Sequence, residues 1–94
     1  MSTETPSPLE RLAARYVRWQ PPEVTLAEPT VLLWQIMKMG TAKDYILARA
    51  HWGEAAFRRA LADAQPGALD ERSWVFWHRH FRLTARPFPR RSFV

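Results

Sequence analysis

Proline and glycine divide this sequence into short segments, and their positions limit the fold more than any other feature. A proline inside a helix removes a hydrogen bond and clashes with the preceding turn. Pro21-Pro22 therefore ends any helix before it, and Pro29 is acceptable only near a helix start. Gly40, Gly53 and Gln65-Pro66-Gly67 interrupt the rest of the chain. Only short elements fit between these breaks.

Apolar residues inside the segments repeat with the period of an α-helix, and no segment has a convincing strand pattern. Ser7-Pro8-Leu9-Glu10 has the form of a capping box, which predicts a first helix from about residue 8 with Trp19 on its inner stripe. After Pro21-Pro22, residues 23–27 are predicted to be extended. A second helix is predicted from residue 29 to 39, surrounded by the others, with Gly40 left-handed at its end.

Three further helices are predicted in the second half of the chain. Thr41 and Asp70 are good N-cap residues for two of them, and the third occupies residues 54–64. In the last helix, a spacing of 100° per residue places one set of side chains on the inner face: Trp74, Trp77, His78 and Phe81. Phe76 falls on the opposite face.

These patterns predict an all-α protein, a compact bundle of about five short helices with an extended basic C-terminal tail. A chain of 94 residues has room for a single core. We expect residues 1–6 to be a disordered N-terminus, residues 7–82 to form the helical domain and residues 83–94 to form the tail, where arginine, proline and phenylalanine alternate.

The net charge of +5 is concentrated at the C-terminus. Residues 1–71 carry eight basic and nine acidic side chains, whereas residues 72–94 carry six arginines and no acidic side chain. Arginine favours planar, bidentate contacts with carboxylates or phosphates. The C-terminal region therefore predicts an anionic partner, either an acidic protein surface or nucleic acid.

Phe76 lies between two arginines on the outward face of the last helix, and aromatic and arginine side chains are enriched at binding hot spots. A second packing surface within the domain is the alternative. The predicted partner-binding residues of this helix and the tail are Arg72, Phe76, Arg79, Arg82, Arg86, Phe88, Arg90, Arg91 and Phe93.

No catalytic constellation is found, so we expect a protein that is not an enzyme. His78 and His80 would point in nearly opposite directions on a helix and cannot chelate one metal ion. Ser73 and His78 lack an identifiable orienting acid, and the three glycines are isolated helix terminators rather than a phosphate-binding loop. We therefore predict no metal and no cofactor.

The N-terminus lacks the charge and apolar run of a signal peptide, and the longest apolar run is too short to cross a bilayer. With no cysteine, the chain suits a reducing compartment. We expect a cytoplasmic protein without a membrane partner. A helix-turn-helix at Gly53 matches poorly, because Arg49 occupies the position that favours a small residue.

From Tyr16 to Leu83, the chain resembles a family of short helical bacterial proteins. The resemblance is carried by the segments Val31-Leu32-Leu33-Trp34-Gln35-Ile36-Met37-Lys38-Met39-Gly40, Tyr45-Ile46-Leu47, Gly53-Glu54-Ala55-Ala56-Phe57-Arg58-Arg59-Ala60-Leu61 and Phe76-Trp77. Members are commonly encoded beside nucleotidyltransferase-like toxins of the AbiEii type. This chain has Thr41-Ala42-Lys43 where the family usually has an acidic residue after the glycine.

The resemblance implies a non-enzymatic antitoxin that binds and neutralises a nucleotidyltransferase-type toxin in bacterial defence. The helical body and the basic tail would form the interface with this partner. The alternative is a small DNA-binding transcriptional regulator that places the C-terminal arginines on phosphates. An RNA-associated accessory protein is a third possibility, for which only the charge argues.

Overall fold

The computed structural model describes residues 7–84, 87 and 88, and this part of the chain is an all-α bundle. Its helices are α1 (Pro8–Tyr16), α2 (Pro22–Ala27), α3 (Thr30–Met39), α4 (Ala42–Trp52), α5 (Glu54–Ala62) and α6 (Glu71–His80). The predicted disordered residues 1–6 lie outside the described part.

Side chains cap three of the helices, as the sequence predicts. The Ser7 hydroxyl accepts the Glu10 amide hydrogen at 3.1 Å, and Glu10 accepts the Ser7 amide hydrogen in return. Thr41 accepts the Asp44 amide hydrogen at the start of α4, and Asp70 accepts the Ser73 amide hydrogen at the start of α6. These caps satisfy amide groups that would otherwise lack partners at the helix starts.

The prediction that residues 23–27 are extended is wrong, because α2 occupies Pro22–Ala27. Pro22 has a backbone angle suited to a first helical position, and the Pro21 carbonyl accepts hydrogen bonds from Val24 and Thr25. Thr25 is fully buried, and its hydroxyl accepts a hydrogen bond from Gln20. The two adjacent prolines thus begin α2, whereas α1 has already ended at Tyr16.

The inner stripe of the first helix is shorter than predicted. Helix α1 ends at Tyr16, and the following Val17 is fully buried. Trp19 was expected on the stripe, but 65% of its surface is exposed. The residues between Tyr16 and Pro21 form a loop, so the spacing of 100° per residue does not apply to Trp19.

Helix α3 is the central element, as predicted, and packs against α1, α4, α5 and α6. Leu32, Leu33, Ile36 and Met37 are buried on it, whereas Met39 is exposed. The Trp34 indole donates to the Ala60 carbonyl at 2.7 Å and the Trp77 indole to the Met37 carbonyl at 2.8 Å. These two bonds tie α3 to its neighbours.

The inner face of α6 is also confirmed, since Trp74, Trp77, His78 and Phe81 are buried. The helix ends in a Schellman motif, in which the Leu83 amide donates to the His78 carbonyl. Arg82 occupies the left-handed position of this motif, with φ of 57°. The residues described beyond it, 83, 84, 87 and 88, are not helical.

Candidate partner-binding site

The outward face of α6 presents Arg72, Phe76 and Arg79, as the sequence predicts. Phe76 is 54% exposed, and both arginines are exposed. The Phe76 ring stacks on His80, with centroids 5.8 Å apart, and meets the Trp77 ring edge-on. Neither arginine has an ion pair among residues 7–84, 87 and 88. Both guanidinium groups are therefore available to an external anion.

Beside Phe76 lies a groove of about 420 Å³ between α3, α4 and α6, which we call the Phe76 groove. The groove has a buried apolar floor and an exposed rim. Its floor is formed by Ile36, Met37, Tyr45 and Trp77, and its rim includes Thr41, Ala42, Arg72, Phe76 and His80. The sequence predicts Phe76 and Arg72 as binding residues but gives no sign of the groove, which needs three helices to be brought together.

The floor is fixed by aromatic contacts. The Tyr45 ring lies 4.8 Å from the Phe57 and Trp77 ring centroids, and Trp77 is held to α3 through its indole hydrogen bond. The Tyr45 hydroxyl is buried without a hydrogen-bond partner in the described part of the chain. Burial raises the pKa of Tyr45, so this group is neutral at physiological pH. The described floor of the groove is therefore apolar and uncharged.

Gly40 also lines the groove, but its predicted left-handed conformation is wrong. Its φ is −78° and its ψ is 165°, which any residue adopts. A Cβ atom at this position would lie 2.5 Å from the Ile36 carbonyl oxygen. A glycine is needed here because the chain passes close to the end of α3, not because of its backbone angles.

The C-terminal site residues are only partly described. Arg82 is exposed, but Phe88 is half-buried and packs on the body, where its ring lies 6.0 Å from that of Trp74. Trp74 and Phe76 lie on different faces of α6, so the Phe88 contact and the Phe76 groove are separate. Arg86, Arg90, Arg91 and Phe93 lie outside the described residues.

Away from the Phe76 groove, a polar cluster of Arg15, Tyr16 and Asp44 joins α1 to α4. Asp44, in the first turn of α4, is buried. Arg15 on α1 is exposed, and its guanidinium lies 3.0 Å from the Asp44 carboxylate. The hydrogen bond from the Tyr16 hydroxyl, together with the Arg15 charge, lowers the pKa of Asp44. This cluster ties α1 to α4.

Ser73 and His78 do not form a nucleophile and base. The Ser73 hydroxyl donates to Asp70 at 2.6 Å, and His78 Nδ1 lies 2.7 Å from the Trp74 carbonyl oxygen. In the described ranges, no three histidine, aspartate or glutamate side chains come together as metal ligands. What the Phe76 groove supplies is apolar contact and a cation.

Helices α4 and α5 are joined by Gly53 alone, with φ of 88°. A DNA-binding helix-turn-helix uses a turn of about three or four residues. The junction therefore lacks the turn that presents a recognition helix.

None of the helices described here is both long enough and apolar enough to span a bilayer.

Comparisons of the chain with protein-family models, with curated proteins and with solved structures give no match. The candidate site therefore rests on the geometry of α6 and the groove beside it.

Proposed function

We propose that this chain is a non-enzymatic cytoplasmic antitoxin that binds and neutralises a nucleotidyltransferase-type toxin. The supporting observation is Phe76, an exposed aromatic side chain on the rim of an apolar groove, on a helix face with two arginines that form no ion pair with the described residues. The toxin class comes from the resemblance of the helix pattern to small proteins encoded beside such toxins. The α6 face and the C-terminal arginines are the proposed interface.

An exposed aromatic ring beside arginines is suited to protein recognition. Aromatic and arginine anchors contribute much of the free energy of binding at protein interfaces. A nucleotidyltransferase has acidic metal-binding residues in its active-site cleft, and arginine forms strong bidentate hydrogen bonds with carboxylates. Arg72 and Arg79 would therefore complement that acidic surface and set the orientation of the complex.

The first experiment is co-purification with the protein encoded by the neighbouring gene, if that gene encodes a nucleotidyltransferase. We expect a stable complex and rescue of growth when both proteins are expressed. Phe76→Ala should weaken the complex by about 2 kcal/mol or more, as expected for a hot-spot aromatic residue. Val24→Ala is the matched control, because Val24 is an exposed apolar residue on α2, away from this face.

Equal affinity of the Phe76→Ala and Val24→Ala variants would contradict the proposed interface. The regulator alternative makes a different prediction for duplex DNA. Binding to phosphates weakens steeply as the salt concentration rises, whereas an interface anchored by Phe76 loses much less affinity. Tight, salt-sensitive binding to the operator DNA, with no complex with the toxin, would favour the regulator.

A further inference from the structure

We infer that the Phe76 groove receives an apolar side chain that stands next to a carboxylate on the partner protein. This inference rests on the proposed function, because it specifies the chemistry of the toxin segment that docks there. It follows from the shape of the groove, from the charge on its rim and from the exclusion of a second copy of the chain.

The groove is large enough for an aromatic or branched aliphatic side chain. Its volume is about 420 Å³, whereas an apolar cavity of about 150 Å³ can hold benzene. The buried side chains of Met37 and Trp77 form part of the apolar floor. An apolar side chain placed there would remove the exposed part of Phe76 from water, which favours binding by about 25 cal/mol per Å².

Arg72 makes the groove favour a ligand with a negative charge. Among residues 7–84, 87 and 88, it is the only lysine, arginine, aspartate or glutamate that lines the groove, and it has no ion pair with any of them. The other titratable groups at the groove are His80 and Tyr45. A carboxylate next to the apolar anchor would therefore meet the Arg72 guanidinium group.

A single-stranded nucleic acid fits this site less well. Such ligands need a cationic track along the backbone and open aromatic faces for the bases. In the part of the chain that the structure describes, one arginine lines the groove, and one face of the Phe76 ring is stacked on His80. A second copy of this chain is also disfavoured, because a two-fold pairing through Phe76 would bring Arg72 and Arg79 of both copies together.

A fragment titration of the free protein tests the chemistry of the groove. The probe is 3-phenylpropionate, an aromatic ring carrying a carboxylate, and the readout is the NMR signal of each tryptophan indole N–H. We expect the Trp77 signal to shift, because Trp77 forms part of the floor, while the Trp19 signal remains unchanged. 3-Phenylpropylamine, which carries the opposite charge, should bind at least about fivefold more weakly, a difference of about 1 kcal/mol.

Arg72→Gln should abolish the preference for the carboxylate probe over the amine. Its fold can be checked from the unchanged Trp34 and Trp74 signals. An unmoved Trp77 signal, equal binding of the two probes, or tighter binding of adenosine 5′-monophosphate than of 3-phenylpropionate would overturn the inference.

A groove-filling variant then tests docking in the complex. Ala42 is an exposed rim residue at the start of α4, so Ala42→Trp should occupy the groove without disturbing the core. We expect it to weaken toxin binding by at least about tenfold, or 1.4 kcal/mol. Ala50→Trp is the matched control, since Ala50 is exposed on the same helix and does not line the groove.

The two proposals fail in different ways. Normal toxin binding by Ala42→Trp would overturn the groove inference and leave the antitoxin proposal intact. Fragment binding at Trp77 without any complex with the toxin would overturn the antitoxin proposal, and with it the assignment of the groove to that partner.

Discussion

At the scale of single residues, Gly40 shows how a close approach rather than a backbone angle selects glycine. Its φ of −78° suits any residue, but a Cβ would meet the Ile36 carbonyl oxygen and Cα at 2.5 and 2.9 Å. Both are backbone atoms, so a small side-chain movement cannot relieve the contact.

Gly40→Ala should therefore destabilise the protein by about 1–3 kcal/mol, the usual cost of overpacking. Urea unfolding followed by tryptophan fluorescence measures the change. Ala42→Ser, an exposed neighbouring position, should change the free energy of unfolding by less than about 0.5 kcal/mol. A Gly40→Ala variant as stable as the original chain would show that the end of α3 can move.

The Asp44 carboxylate makes the free energy of unfolding depend on pH. Hydrogen bonding from Tyr16 holds the pKa of Asp44 below its ordinary value of 3.8. The ionised carboxylate therefore favours the folded state, a contribution present in full above the unfolded pKa and lost as the pH falls through the folded pKa. Asp44→Asn should be less stable at pH 7 by about 1–3 kcal/mol, the cost of a lost charged hydrogen bond.

The difference between Asp44→Asn and the original chain should shrink as the pH falls below about 4. Urea unfolding at a series of pH values from neutral to acidic measures this trend. Asp63→Asn is the control, because Asp63 is exposed and has no ion pair in the described ranges. A stability gap that stays constant with pH would contradict the assigned role of the Asp44 charge.

At the scale of elements, the end of α6 stores strain. Arg82 adopts φ of 57° in the Schellman motif, a conformation that glycine takes without steric cost. The motif is held by amide hydrogen bonds from Arg82 to the Arg79 carbonyl and from Leu83 to the His78 carbonyl. The left-handed residue of the motif directly follows Phe81, the buried C-cap residue of α6.

Arg82→Gly should raise the free energy of unfolding by up to about 1 kcal/mol, because relief of the left-handed strain exceeds the entropy that glycine adds to the unfolded chain. Arg79→Gly, inside the same helix, should lower it by about 1 kcal/mol. Thermal unfolding followed by circular dichroism distinguishes the two. Destabilisation of both variants to the same extent would contradict the strain at Arg82.

At the scale of the whole molecule, the C-terminal segment is linked to the body through Phe88. The Phe88 ring packs against Trp74, on a different face of α6 from the Phe76 groove. The segment was expected to supply Phe88 as an anchor for the partner. In the structure this ring contributes to the fold, and Phe76 is the described aromatic residue that remains exposed on α6.

Phe88→Ala should lower the free energy of unfolding by about 1–2 kcal/mol, less than the 3–5 kcal/mol typical of a fully buried phenylalanine. It should also expose Trp74, which a shift of its indole signal in NMR would report. In toxin binding, Phe88→Ala should have a smaller effect than Phe76→Ala. The reverse order would show that Phe88 leaves the body to contact the partner.

Much of the helix pattern was predictable from the sequence, because caps and breaks act locally. Thr41 and Asp70 begin helices through hydrogen bonds to amides three residues away. Helix α2 was not predicted, because the buried Thr25 that packs it inside the protein gives no periodic signal in so short a segment. Trp19 was misplaced for a different reason. Periodicity cannot show where a helix ends, and α1 ends at Tyr16, before Trp19.

The short helices other than α2, the inner face of α6 and the outward position of Phe76 between arginines could be predicted, because each follows from spacing within one segment. The tertiary structure brings distant residues together. It paired Arg15 with Asp44, placed Phe88 on Trp74, and brought α3, α4 and α6 together around the Phe76 groove. These contacts depend on how the helices pack, which no local spacing records.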